Sequence, residues 1–234
     1  MLHRFRSHDA EGDTGGTYDW FEVGEDGLVV RQASFAGAVE PPRLPDLLAA
    51  GPGSLGEEFA GSAGGAVVAA SRTELDWSRG QLGPLGVRLY EADLGTLVEG
   101  PVDAAEYGAE PVTEAEFTRA WRRARRDRTF TRVDTGPLPA GSRLTGTVTA
   151  WPWGFGVTGL FVDLGLPIHG FVDMGALLPP QGWPPVGTRT EFEVIAVRLD
   201  LDPDGGPPRG HPQVRLRVTG APPPGRPWPS LAPR

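Results

Sequence analysis

From Arg143 to Ala150 the chain alternates without a break: Leu144, Gly146, Val148 and Ala150 on one side, Arg143, Thr145, Thr147 and Thr149 on the other. A period of two is what a strand with one buried face requires, because successive side chains point to opposite sides of the sheet. The same half of the chain holds further strand patterns. "LFVDLG" (160–165) and "HGFVDMG" (169–175) are apolar runs ended by glycine, and "TEFEVIAVRLD" (190–200) is longer. "PQVRLRV" (212–218) sets Val214, Leu216 and Val218 against Arg215 and Arg217. Between them "ALLPP" leaves room for one helical turn before proline stops it. Five short strands within about 75 residues predict a small closed barrel.

The first half reads differently. "TYDWFEVGEDGLVVRQASF" (17–35) predicts a hairpin: Tyr18 and Trp20 alternate with polar neighbours, "GEDG" turns the chain, and Leu28, Val29 and Val30 resume a strand. "PRLPDLLAAG" predicts a short helix closed by Gly51, residues 51–66 a glycine-rich loop, and 87–99 one more strand pair. In "VTEAEFTRAWRRARRD" (112–127), Thr113 followed by Glu116 has the spacing of a capping box, with Val112 and Phe117 placed for a hydrophobic staple. Phe117, Ala120, Trp121 and Ala124 share one face, glutamates occupy the first turn and arginines the last, so this segment is a helix.

Charge divides the chain the same way. Residues 1–118 carry 7 Arg against 21 Asp and Glu, residues 119–135 carry 7 Arg against 2 Asp, and the remainder is close to balanced. All 22 basic residues are arginine, which either reflects a GC-rich coding sequence or suits planar, bidentate phosphate contacts. The arginines of 119–132 have two readings: a phosphate-holding cluster, or a solvated helix end that matches the dipole and faces an acidic domain. "TGPLPAGS" (135–142) has linker composition, and the residues after 219 form a proline-rich tail without pattern. The expected organisation is therefore an acidic α+β domain over 1–128, a linker over 129–141, an all-β five-stranded barrel over 142–219 and a tail over 220–234.

Several chemistries are set aside by residue type. The chain has no cysteine, hence no disulfide, thiolate nucleophile or sulfur-held zinc. His3, His8, His169 and His211 show no metal-ligand spacing. No Ser/His/Asp grouping, P-loop or dinucleotide glycine motif occurs, so neither an enzyme nor a cofactor is expected. The start, "MLHRFRSHDAEGD", turns acidic where a signal peptide turns apolar, and "GSAGGAVVAA" is too short to span a bilayer; the expectation is a cytoplasmic protein without a membrane.

The order of pieces in the second half resembles the ribosomal S1-type RNA-binding domain, a five-stranded OB-fold barrel. It rests on Gly146 to Val148, on Phe155-Gly156 to Phe161-Val162, on Gly170 to Val172 and on Val186-Gly187, and covers 142–218. The resemblance implies that Phe155 and Phe161 lie on the outer face of the barrel, where bases stack, with Trp153 as a further ring. It implies also that Arg215, together with Arg189 and Arg143, meets the RNA backbone. This chain departs from the family in three extra residues, "VTG", within the aromatic turn, and in Asp173 where the family often has histidine. Core or interdomain packing of the three rings is the competing reading. The first half is faintly similar to small bacterial domains that pair a Trp-containing strand with a Glu-Phe-x-x-x-Trp helix, some of which accompany toxin–immunity systems. The expected function is non-enzymatic binding of single-stranded RNA in a bacterial cytoplasm, with a protein partner for the acidic domain. The alternative is a protein-interaction module, immunity-like, whose barrel has lost RNA binding.

Overall fold

The computed structural model describes residues 2–9, 16–36, 65–105, 108–131, 133–152, 154, 156–177, 183–206, 208, 210–222, 226 and 228, and of Asp9 and Phe130 the backbone alone. The helix expected at 42–51, the loop over 51–64 and most of the tail lie outside these residues. The chain falls into two compact units. Residues 1–77, 93–131 and 202–207 form the first, and residues 78–92, 132–201 and 208–234 the second.

In the first unit β1 (His3–Asp9), β2 (Thr17–Val23), β3 (Val29–Ala36), β4 (Ala66–Ser71) and β5 (Glu110–Pro111) make an antiparallel sheet in the order β4-β3-β2-β1-β5. The expected hairpin is β2–β3, turned at Gly24, whose amide donates to Leu28 O at 2.9 Å. Neither β1 nor β4 was expected. Helix α3 (Glu114–Phe130) packs on this sheet, and its start follows the sequence signal. The Thr113 hydroxyl takes the Glu116 amide at 3.3 Å, and the Glu116 carboxylate takes the Thr113 amide at 2.8 Å. Those bonds from Thr113 hold the Glu116 carboxyl below its ordinary range. Phe117, Ala120, Trp121 and Ala124 are all buried, as their spacing requires.

The interior of this unit is knitted by arginine. Glu22, almost fully buried, accepts from Arg31 Nε at 2.6 Å and Arg4 Nε at 2.8 Å. Burial pushes the Glu22 carboxyl up, but the two guanidinium groups more than offset it and hold it below its ordinary value. Arg125 of α3 grips the buried carboxylate of Glu74 with both Nη atoms, at 2.9 and 2.7 Å. Residues 202–205 enter this unit through their carbonyls. Arg125 donates to Asp202 O (2.9 Å), Trp121 Nε1 to Pro203 O (3.1 Å), Arg31 to Asp204 O (3.0 Å) and the Ser71 hydroxyl to Gly205 O (2.8 Å). Four successive carbonyls thus find four side-chain donors, so a segment with no regular structure leaves none of them unsatisfied. The arginine cluster of the sequence is in part this interior set, with Arg123 also lying over the Phe35 ring at 5.2 Å.

Two helices divide between the units. α1 (Arg72–Leu82) starts in the first and ends in the second; α2 (Pro84–Leu94) runs the other way. The strand pair expected at 87–99 is therefore corrected: residues 84–94 are helical and 95–99 belong to no strand.

The second unit is a closed barrel of β6 (Arg143–Ala150), β7 (Gly159–Asp163), β8 (His169–Asp173), β9 (Arg189–Arg198) and β10 (Gln213–Val218), in the order β10-β8-β7-β6-β9. β10 and β8 run parallel and the other pairs antiparallel. All five strands expected from alternation are present. Val148, Leu160, Val162, Val172, Phe192, Val194, Val214 and Leu216 fill the inside, and Leu82, Leu89, Leu138 and Ile168 extend the same core. Leu138 comes from the segment whose composition reads as linker. Among the described residues no helix is long and apolar enough to cross a membrane.

Candidate functional site

Alternation fixes which barrel side chains face outward, and register fixes which of those meet. With Leu160 and Val162 of β7 and Val172 of β8 inside, Phe161 and Phe171 point out. The pairing sets Phe161 opposite Phe171 and Phe171 opposite Arg215 on β10. The two rings meet edge to face, centroids 5.3 Å apart with 60° between planes. Arg215 carries its guanidinium 4.8 Å from the centroid of Phe171. That geometry suits the ring quadrupoles and the cation–π attraction, so the row is held without any buried polar group. Gly159 makes room for it. A Cβ there would strike the Val172 carbonyl oxygen and come within 2.9 Å of Phe171 Cζ, so the ring lies across the glycine.

Two carboxylates bracket the rings, one at the end of each strand. Asp163 accepts the Gly165 amide at 2.8 Å and so closes the turn after β7. Asp173 accepts the Gly175 amide at 3.0 Å with Oδ1, capping a 3₁₀ turn over Met174–Ala176, while its Oδ2 lies 3.4 Å from Arg215. Both groups are exposed, yet each has one oxygen committed to its own turn, which orients the carboxylate.

Of the residues singled out by sequence, Phe161 and Arg215 come together in this row. Trp153 and Phe155 lie outside the described residues. Arg189 is exposed at the start of β9, in register with Thr147, and β6 separates it from the aromatic pair. Arg143 is bound to Glu191 at 2.9 Å. Phe171 was missed. Its signal was present in "HGFVDMG", where Gly170 and Val172 facing inward oblige the ring between them to face outward. Elsewhere on the barrel Arg217 pairs with Glu193 at 2.7 Å and Arg198 with Asp200 at 3.7 Å. Such exposed pairs add little to stability, because solvent screens them. Their effect here is to neutralise most of the barrel's surface arginines.

Among the described residues no group of three or more His, Asp or Glu side chains is placed to hold a metal ion. One carboxyl of the first unit is shifted the opposite way from Glu22 and Glu116. Burial pushes Asp93 up to about 6 from an ordinary 3.8, outweighing the nearby Arg128 and Arg125. A raised folded value means the folded chain holds this proton more tightly, so the stability it contributes in acid is lost as pH rises from about 4 through 6. Asp93→Asn is expected to remove that dependence. In urea unfolding followed from pH 4 to 7, wild type should lose roughly 1–3 kcal/mol relative to the variant, and parallel curves would refute the assignment. No protein-family model matches the chain, and neither does any curated protein.

Proposed function

We propose that the protein binds single-stranded RNA without catalysing a reaction, by stacking bases on the outer face of an S1-like OB-fold barrel. The observation that supports this is the row Phe161–Phe171–Arg215, two rings and a guanidinium presented outward by three adjacent strands. Stacking tolerates any base, because every base has a π-face, and is worth about 1–3 kcal/mol per base. The S1-type resemblance and the closed five-stranded barrel agree with this use of the face. Trp153 and Phe155 are proposed to extend the platform, and Arg189 to meet the backbone as it leaves it. A cytoplasmic, bacterial setting belongs to the same proposal.

The test is fluorescence anisotropy of a labelled single-stranded RNA octamer with the full chain, wild type against Phe161→Ala/Phe171→Ala. The double substitution is expected to weaken binding by about 2 kcal/mol or more, which is roughly 30-fold. Binding that survives it unchanged would rule this face out as the platform. A protein-interaction module is the second reading, favoured by the paired barrel arginines and by Val157, Met174 and Ile195, which are exposed apolar residues. Absence of RNA binding at low salt would move the search there.

A further inference from the structure

The feature that sits least easily with a nucleic-acid face is the pair of carboxylates beside the rings. Building on the RNA reading, we infer that Asp173 makes this a site that reads bases and turns phosphates away from Arg215. The carboxylate is built in rather than passing. Its Oδ1 is tied to the Gly175 amide at 3.0 Å, which leaves Oδ2 aimed at Arg215 at 3.4 Å. Phe171 covers the guanidinium from another side, at 4.8 Å from the ring centroid. A phosphate approaching Arg215 meets the Asp173 carboxylate 3.4 Å from one Nη and must sit beside its charge. Asp163 adds a second negative group at the other end of the Phe161 strand, and His169 is exposed nearby, in the next strand. A neutral base stacking on the rings meets no such penalty. The ligand is thus held by its bases, with the sugar–phosphate chain directed away from the row.

Asp173→Asn isolates the charge, since asparagine caps a turn about as well as aspartate. Binding of a labelled single-stranded RNA octamer to the full chain is measured from 20 to 200 mM salt for wild type, Asp173→Asn, Arg215→Ala and the double variant. Wild type is expected to bind with a shallow salt dependence. Asp173→Asn should bind about threefold more tightly at low salt, the size of one screened unit charge at roughly 6 Å. Its log–log salt slope should steepen by about 0.7, one additional phosphate contact on a single strand. Arg215→Ala should abolish that gain, because the added phosphate contact needs the guanidinium. If Asp173→Asn leaves affinity and slope unchanged while Phe161→Ala/Phe171→Ala still weakens binding, the inference fails and the RNA reading stands. If neither wild type nor Asp173→Asn binds, both fail.

Discussion

Gly159→Ala is expected to destabilise the barrel by about 2–5 kcal/mol, more than most single methyl additions. Two costs combine. The residue has φ +145°, where L side chains are rarely found and strain is of order 1–3 kcal/mol. The added Cβ also collides with the Val172 carbonyl oxygen, which belongs to the β8 backbone and cannot swing aside as a side chain would. Overpacking of this kind adds about 1–3 kcal/mol. Because the same Cβ lies 2.9 Å from Phe171 Cζ, whatever relief occurs displaces a ring of the proposed platform. Urea unfolding followed by circular dichroism should show the loss. RNA affinity measured where the variant remains folded should fall with it. A variant as stable as wild type would mean that β7 and β8 are farther apart at this point than described.

Arg125→Met is expected to cost about 3–5 kcal/mol by stranding the Glu74 carboxylate in the interior. Arg125 is 8% exposed and Glu74 is not exposed at all, so water cannot take the place of the lost partner. The companion variant Arg125→Met/Glu74→Leu separates the ion pair from the rest. Replacing both charges with apolar groups of similar size is often neutral or better. Here recovery should be incomplete, because Arg125 also donates to Ala69 O at 3.2 Å and Asp202 O at 2.9 Å. Ala69 O loses its side-chain donor in the double variant, whereas Asp202 O keeps the Gly205 amide at 3.0 Å. Urea unfolding followed by circular dichroism is the readout, since seven tryptophans share the fluorescence. A single variant within 1 kcal/mol of wild type would show that the carboxylate finds solvent.

What the sequence revealed and what it hid follow from where the physical signal resides. β6 and α3 were legible because their signals are local: strict alternation over 143–150, and a hydroxyl and carboxylate three positions apart at 113 and 116. α1 and α2 were not, because Gly80, Gly83, Pro84 and Gly86 read as breakers. In the structure Gly83 joins two helices and Pro84 opens the second, a position where its missing N–H costs nothing. Gly86 lets that helix approach the first so closely that a Cβ would meet the Ser78 carbonyl. β1 was hidden for another reason. Of its residues with described side chains only Phe5 and Ser7 are buried, and its strand state comes from pairing with β2 rather than from its own pattern. In the candidate site the aromatic turn drew the eye to Phe155 and Phe161, whereas the partner of Phe161 is set by strand register. Register joins positions 161, 171 and 215 across loops whose lengths no local pattern records.

The four carbonyls at 202–205 have a consequence for how the chain is made. Helix and sheet of the first unit are complete in sequence by residue 131, yet Arg125, Trp121, Arg31 and Ser71 receive their last acceptors only from a segment that follows β9. On the ribosome the first unit must wait, its donors answered by water, while four of the five barrel strands are synthesised. The amino-terminal half of this protein is begun first and finished late.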